Sequence, residues 1–479
     1  MTAFDPSDLV SSFKAAGAWY NDDAMSLAPI PNMGWGAVAR KPIAAHTPLF
    51  RIPLDYLLTP WTSSLKSHLT DAEWDALDGG WARLILCMMW EESRADSKWG
   101  GYLRNMPREF DSPMFWGEAD RAELAGTDIE NRIGKSDAEA DYHAKLAPLL
   151  AARADLFPAG SEHFSLDAYH VQGSRILSRS FTIPISRAGG PITEPEEDED
   201  GDEDEEEEVA VMVPMADMLN AAYERDNARL FADGEDDEDE EGEGEKHDFG
   251  EGFTMISTRD IAEGEQIYNT YASPPNSELL RKYGHVDILP LPEEVTALLS
   301  PEELGDWAFG NAGDEVEIPG TLVVEAAAAR GISDAEARVD FWLDQGGDDT
   351  FGLTYSPDGN LEPPLVPFIR LLTSAEDWER AQKKGKLPKS VVDAPVLDVL
   401  EAVVRARAAK YPQTIAADLA VVSADGPLNA RNAAVVRLGE KRILAATLRV
   451  VERERERIKA EEGKRKAGGK EERAAKRRK

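Results

Sequence analysis

Hydrophobic residues in the first 290 positions follow two different spacings. Short apolar runs typical of strands lie at 37–40 and 48–52, and longer runs typical of helices lie at 81–92 and 165–181. The second helical run opens with Ser165, a favourable N-cap residue. Two more strand-like runs, 253–257 and 266–271, flank a turn at 262–265 and predict a hairpin. This part of the chain should therefore mix small sheets with helices.

The pattern changes after residue 290. Most of 291–460 has helical spacing, with acidic helix starts at 300–303 and 333–336. We therefore place a domain boundary near 290–292. A long helix is predicted from 433 to 462, because an apolar stripe is accompanied by Glu and Arg at i,i+3 and i,i+4 spacing.

Charge is distributed in blocks. The segments 194–208 and 233–248 hold 24 of the 91 acidic residues. Such runs bury too little apolar surface to fold, so we expect disordered acidic loops inserted in a folded domain. Residues 463–479 hold nine Lys and Arg against two Glu, which predicts a disordered basic tail over 461–479.

Several classes of protein are disfavoured. The longest apolar run, 84–90, is far shorter than the roughly 18 residues of a membrane span, so no membrane partner is expected. The first residues lack the basic segment of a secretory signal, which favours the nucleus or cytoplasm. Cys87 is the only cysteine, which argues against a disulfide framework or a cysteine-rich metal site. A pI near 4.6 argues against direct nucleic-acid binding.

Three segments could carry chemistry. Gly34, Trp35 and Gly36 precede a predicted strand, where glycine allows a ligand close to the backbone, although a tight turn has the same pattern. Asp217 and Asn220 interrupt an apolar segment, as functional residues or as satisfied polar groups of the core. Tyrosines at 268 and 271 end a predicted strand, where tyrosines are more often packing residues than catalysts.

Taken in this order, the segments 34–36, 216–220, 269–271 and 277–284 resemble the SET-domain protein methyltransferases of the Rubisco large-subunit methyltransferase branch. Within that branch, 213–221, 227–230 and 279–286 look most like the fungal ribosomal-protein lysine methyltransferases, relatives of the animal non-histone lysine methyltransferases. The resemblance covers about 25–290. The later helical part resembles the branch by position and helical character alone.

The resemblance implies an α+β fold. It implies a SET domain over 1–290, with small sheets, a pseudoknot and a helical insertion at about 65–170, followed by an all-α substrate-binding domain over 291–460. It also implies S-adenosylmethionine as the cofactor and no metal.

Motif positions carried over one by one imply a set of site residues. The catalytic residue is Tyr271. The cofactor-binding residues are Gly34, Trp35, Gly36, Arg179, Asn220, Ala221 and Tyr283. The substrate-binding residues are Trp99, Ser180, Thr182 and Asp217. Arg179 is equally consistent with a surface arginine and Trp99 with a core tryptophan. The chain departs from the family at Ala221, where many relatives have His, and at Ala272, where Gly is usual.

The implied function is methylation of a protein lysine, with a basic ribosomal protein of the large subunit as substrate. Two alternatives remain open: a catalytically silent SET module that binds basic proteins, and a protein-histidine methyltransferase. The basic clusters at 464–466 and 476–479 predict recognition by a nuclear import receptor, and hence a nuclear location.

Overall fold

The computed structural model describes residues 4–31, 33–191, 207–221, 225–232, 251–269, 274–331, 334–356 and 364–477, with side chains as far as 461. The chain forms two compact units. The first comprises Met1–Phe110 and Gly134–Ser273, and the second comprises Asp111–Ile133 and Pro274–Lys479. The second unit thus resumes at Pro274, and the domain boundary near residue 290 stays a prediction from the sequence. No described helix is long and apolar enough to cross a lipid bilayer.

The described helices, in chain order, are α1 (Pro6–Ala15), α2 (Asp71–Asp75), α3 (Ala82–Ser93), α4 (Gly100–Asn105), α5 (Glu118–Ala122), α6 (Lys135–Asp141), α7 (Ala147–Ala152), α8 (Leu166–Arg179), α9 (Asn276–Tyr283), α10 (Glu293–Thr296), α11 (Pro301–Leu304), α12 (Gly320–Ala328), α13 (Ala335–Asp344), α14 (Leu365–Thr373), α15 (Ala375–Lys384), α16 (Ala394–Ala408), α17 (Ile415–Ser423) and α18 (Leu428–Arg477). The described strands are β1 (Trp19–Tyr20), β2 (Met25–Ile30), β3 (Gly34–Ala39), β4 (Pro48–Pro53), β5 (Ser180–Pro184), β6 (Glu208–Met212), β7 (Ala228–Ala232), β8 (Gly252–Ser257), β9 (Gln266–Ile267), β10 (Leu289–Pro290), β11 (Phe309–Gly310), β12 (Glu315–Pro319) and β13 (Thr350–Thr354).

Small antiparallel sheets build the first unit. One has the order β1-β4-β8-β7, a second has the order β2-β3-β9, and β5 pairs with β6. Phe50 and Ile52 of β4 are fully buried in the core of this unit. The strand predicted at 48–52 is confirmed within β4, and residues 37–39 of the strand predicted at 37–40 lie in β3, which begins earlier, at Gly34, and ends at Ala39.

The predicted hairpin is wrong. Strand β8 pairs with β4 and β7, whereas β9 pairs with β3 in another sheet. The turn at 262–265 does form, with Gly264 at φ 79° and its N–H donating to the Ala39 carbonyl. That bond ties the turn to the end of β3, so the chain passes from one sheet to the next instead of folding back.

Both predicted helices of the first unit form, although residues 180–181 of the second prediction belong to β5. Nine of the twelve residues of α3 are buried. The Ser165 hydroxyl caps α8 by accepting from the Ala168 N–H at 3.1 Å. Residues on α8 that pack inward include Tyr169 and Ile176, which join the core of the unit. The helix ends at Arg179, directly before β5, so its last turn and that strand are positioned together.

The second unit is mainly helical, as predicted, although it is not purely so. Its described residues also form two two-stranded sheets, β10 with β11 and β12 with β13. Helix α18 begins at Leu428 and continues to Arg477, through residues that the sequence predicted to be a disordered tail. Ala, Lys, Arg and Glu, which dominate that stretch, are strong helix formers.

Buried ion pairs join distant parts of the second unit. The Arg407 guanidinium donates to Asp128 Oδ1 at 2.7 Å and to Glu440 Oε2 at 3.4 Å. It also donates to the Gly126 carbonyl at 2.7 Å. These contacts attach the segment Asp111–Ile133 to helices α16 and α18, which explains why that segment belongs to this unit.

Candidate active site

A glycine-rich strand forms one wall of the candidate site. Gly34–Ala39 is β3, with Trp35 opposite Pro29 of β2 and Val38 opposite Gln266 of β9. A Cβ placed on Gly36 would lie 2.7 Å from both Asn220 Nδ2 and Gln266 Nε2. Gly36 therefore fits only because it has no side chain, and two amide groups converge over its Cα.

The segment carrying Asp217 and Asn220 lies beside this strand. It begins at Met215, whose φ of 79° is unusual for a residue with a side chain, and continues through a short 3-10 turn, Ala216–Met218. The Asn220 side chain donates from Nδ2 to the Trp35 carbonyl at 3.3 Å. The structure thus brings Trp35, Gly36 and Asn220 together, as the family resemblance implies.

The same segment is joined to the end of β9. The Asn269 N–H donates to the Asn220 carbonyl at 3.0 Å, and Ala221 forms a parallel bridge with Asn269. Asn269 lies two positions before Tyr271. Tyr271 itself and Ala272 lie outside the described residues, so their predicted roles remain predictions.

Asn227 is a supporting residue whose role sequence reasoning missed. It is fully buried, its Nδ2 donates to the Gln266 carbonyl at 3.0 Å, and its Oδ1 accepts from the Tyr268 N–H at 2.7 Å. These bonds hold the backbone of 266–268 in place. The available signal was an amide side chain directly before an apolar strand, β7.

Asp217 is buried and forms a polar cluster with Tyr102 and Arg179. The Tyr102 hydroxyl donates to Asp217 Oδ2 at 3.0 Å, and Arg179 donates from Nη1 to the Asp217 carbonyl at 2.8 Å. Burial raises the pKa of Asp217 and, together with the Asp217 charge, raises the pKa of Tyr102 well above its usual value. Tyr102 therefore stays protonated and acts as a donor. Arg179 is partly exposed and fastens the end of α8 to the 216–218 turn.

The other residues predicted to bind substrate differ in exposure. The Trp99 side chain is buried, stacks on Tyr56 with ring centroids 6.4 Å apart, and donates to the Tyr56 carbonyl at 2.8 Å. This is the core alternative that the sequence left open. On β5, Ser180 is half-buried and Thr182 is exposed.

Tyr283, predicted to bind the cofactor, belongs to the second unit and ends α9. It is half-buried, its ring lies 5.9 Å from that of His285, and burial raises its pKa. Gly284 follows at φ 78° and terminates the helix, as glycine commonly does.

The geometry around Gly36 suits a small polar ligand. Gln266 Nε2 is buried and has no hydrogen-bond partner among the described residues, although buried amides are normally paired. Asn220 Nδ2 lies next to it, over the Cα of Gly36. The two amides fill the space over Gly36, whereas a Cβ on Gly34 would meet none of the described atoms within 4 Å. The site therefore combines an open backbone at Gly34 with amide donors beside it, in the unit that also contains the strand leading to Tyr271.

The fold is that of the solved Rubisco large-subunit methyltransferase structures, with small sheets in the first unit and a mainly helical C-terminal region. Residues 332–444 match the family model described as Rubisco LSMT substrate-binding. The structure titled Rubisco LSMT bound to AdoMet has a TM-score of 0.61 and 18% identity, covering 94% of this chain and 92% of that one. A structure of the SET domain of LSMT bound to lysine and AdoHcy has a TM-score of 0.63, also at 18% identity, covering 94% of this chain and 91% of that one.

Two curated relatives are similar in sequence. Ribosomal lysine N-methyltransferase 4 of Saccharomyces cerevisiae is 31% identical over 262 residues, which are 53% of this chain and 50% of that protein. The N-lysine methyltransferase SETD6 of Mus musculus is 29% identical over 292 residues, 59% of this chain and 54% of that protein. The chain thus spans about half the length of the curated relatives it matches.

Proposed function

We propose that this protein is an S-adenosylmethionine-dependent protein-lysine N-methyltransferase. The observation that carries the proposal is the cradle at Gly36, where two amide side chains meet a backbone that has no room for a Cβ. The segment that supplies one amide, Asn220, is hydrogen-bonded to Asn269, shortly before Tyr271. The names of both curated relatives support the same chemistry.

The residues present fit the cofactor. Its carboxylate and ribose need hydrogen-bond donors and a close backbone. The open backbone at Gly34 and the amide of Asn220, which lies over Gly36, offer these, and we propose that Ala221 contributes through its backbone. S-adenosylmethionine supplies an electrophilic methyl group attached to a sulfonium. The Arg179 guanidinium donates to the Asp217 carbonyl and so stabilises the turn that precedes Asn220.

The protein must provide a neutral lysine and hold it in line. A free lysine has a pKa of about 10.4, so its nucleophilic form is scarce near neutral pH. An apolar channel lowers that pKa, since desolvation disfavours the ammonium. In this proposal Tyr271, by its position in the motif, orients the amine through its hydroxyl. Positioning of this kind, without acid–base chemistry, can lower the activation free energy by several kcal/mol, roughly 7 at the low end of values from intramolecular model reactions.

For the substrate we propose a basic ribosomal protein of the large subunit. The yeast relative's name supports the ribosomal identity. The formal net charge of −38 supports a positively charged substrate, because a negative protein attracts cationic partners at long range. Ser180 and the exposed Thr182 on β5 are the described residues that we propose contact the substrate segment.

The test is methyl transfer from radiolabelled S-adenosylmethionine to purified large-subunit ribosomal proteins, with Tyr271→Phe beside wild type. We expect label on one protein and a loss of at least about 100-fold in the variant, comparable to removing one transition-state donor. Cofactor affinity should be unchanged in that variant. No transfer by wild type would favour the silent module, and label on histidine would favour the histidine methyltransferase.

We also propose that the basic tail directs the protein to the nucleus. Its two clusters, 464–466 and 476–479, are spaced as in nuclear import signals. A fluorescent fusion that lacks 463–479 should be cytoplasmic, whereas the full chain should concentrate in the nucleus. Nuclear accumulation of the truncated fusion would rule out this role.

A further inference from the structure

The second unit contains a cavity of about 600 Å³ that the proposed chemistry does not use. Its walls come from α12, α13 and the turn before β13, and Phe368 of α14 contributes to its floor. This volume lies within the range of sites that hold several side chains or a small ligand. The lining is predominantly apolar.

Aromatic packing makes the floor rigid. The rings of Trp342 and Phe368 lie 5.0 Å apart, and both are almost fully buried. The Trp342 indole N–H donates to the Asp348 carbonyl at 2.8 Å, which fixes the turn that forms one rim. Gly347 packs directly on the indole, where a Cβ would lie 2.2 Å from a ring atom. The cavity is therefore preformed.

The rim is strongly acidic. The lining contains five exposed carboxylates and no Lys, Arg or His: Glu325, Glu336, Asp340, Asp348 and Asp349. None of the five forms an ion pair with another residue in the described ranges. An apolar floor surrounded by uncompensated carboxylates matches a segment in which lysine or arginine alternates with large apolar side chains, since long cationic side chains bury their stems and keep their charge at a polar edge.

We propose that this cavity is a docking surface for a basic, partly apolar segment of the protein substrate, distinct from the segment that carries the methylated lysine. The identification of the occupant as substrate rests on the proposed function. Docking there holds the substrate on the enzyme without entering the chemistry, so it contributes to KM and not to kcat.

The binding experiment uses the full chain and a fluorescent peptide of alternating lysine and leucine pairs. One matched peptide replaces each leucine by serine and keeps the charge, and another replaces each lysine by glutamate. We expect the lysine–leucine peptide to bind at least about tenfold more tightly than either control, because the floor and the rim are both required. Equal binding of the serine peptide would show non-specific attraction and overturn the proposal.

Variants locate the binding. Glu336→Lys with Asp340→Lys reverses two rim charges, and Thr321→Trp fills the cavity from an exposed position on α12. The control is Glu379→Lys with Asp425→Lys, which makes the same change in net charge at exposed positions that do not line the cavity. Both cavity variants should lose about tenfold in peptide affinity and the control should lose less than about twofold. Equal losses would contradict the proposal.

A second readout separates this inference from the proposed function. On large-subunit ribosomal proteins, the cavity variants should raise KM several-fold and leave kcat unchanged. Unchanged KM with normal methyl transfer would overturn the docking surface and leave the function intact. Peptide binding at the cavity without methyl transfer by wild type would overturn the function and leave the docking surface. If deletion of 463–479 raises peptide affinity only when the cavity is intact, the occupant is the chain's own tail and the proposal fails.

Discussion

The candidate site of the first unit and the ionic core of the second unit are held together in different ways. Around Gly36, neutral amides bond to backbone groups of neighbouring strands: Asn220 donates to the Trp35 carbonyl and Asn227 to the Gln266 carbonyl. In the second unit, Arg407 and Arg437 are buried charges paired with carboxylates on other helices or on the segment Asp111–Ile133. The first arrangement shapes a backbone for a ligand, whereas the second fixes the packing of helices.

The difference has an energetic consequence. Removing one member of a buried ion pair leaves a charge without compensation, which costs more than losing one neutral hydrogen bond. Changes in the second unit should therefore alter folding most, and changes around Gly36 should alter ligand affinity most.

The largest effect is expected for Arg407→Met. This change leaves Asp128 and Glu440 facing each other without the guanidinium, so the free energy of unfolding should fall by about 3 to 5 kcal/mol. Arg405→Met is the control, because Arg405 is largely exposed and, among the described residues, pairs only with Glu401 on its own helix, a contact worth less than about 0.5 kcal/mol. Thermal unfolding followed by calorimetry measures both. Equal destabilisation would remove the contrast between buried and exposed pairs.

Gly36→Ala should weaken binding of S-adenosylmethionine by at least about tenfold, since the new methyl displaces the amides of Asn220 and Gln266. Gly173→Ala is the matched control within the first unit. A Cβ there would lie 3.8 Å from Ile85 Cδ1, an ordinary contact, and α8 should gain about 0.5 to 1 kcal/mol. Isothermal titration calorimetry compares the two. Unchanged affinity in the Gly36 variant would place the cofactor elsewhere.

We expect Asp314 to make the stability of the second unit depend on pH. Burial raises the pKa of Asp314 to about 7, so the folded state favours the protonated form. The resulting stability is present at low pH and is lost as pH rises through about 7. Asp314→Asn should therefore gain stability relative to wild type between pH 5 and 8, by about 1 to 2 kcal/mol. A constant difference in unfolding temperature across that range would show that Asp314 does not titrate there.

The smallest effect is expected for Asn220→Ala. This variant loses the bond from Nδ2 to the Trp35 carbonyl and should weaken cofactor affinity by about 1 kcal/mol, roughly fivefold. Its unfolding temperature should change little, because Asn220 is only partly buried. Calorimetric affinity equal to that of wild type would remove Asn220 from the site.

The sequence predicted the parts of this molecule that are coded locally. Gly36 and Asn220 lie in short motifs whose order alone indicates the family, and Ser165 caps its helix from the neighbouring position. The hairpin failed because strand pairing is not local: β9 has the right turn before it and still pairs with β3.

Other features left weaker signals or none. Strand β12 was visible in the alternation of Glu315, Val316, Glu317 and Ile318, whose burial also alternates, within a region read as helical. The attachment of the segment Asp111–Ile133 depends on partners such as Arg407, 279 positions away from Asp128. No spacing rule links such residues, since their proximity follows from tertiary packing alone.

The proposed methylation of a lysine in a ribosomal protein is tested most directly in cells. Ribosomal proteins of the large subunit would be compared by mass spectrometry between cells with the protein, cells without it and cells expressing Tyr271→Phe. We predict one lysine that is methylated only in cells with the wild-type protein. Identical lysine methylation in all three, or a difference on histidine alone, would contradict the account.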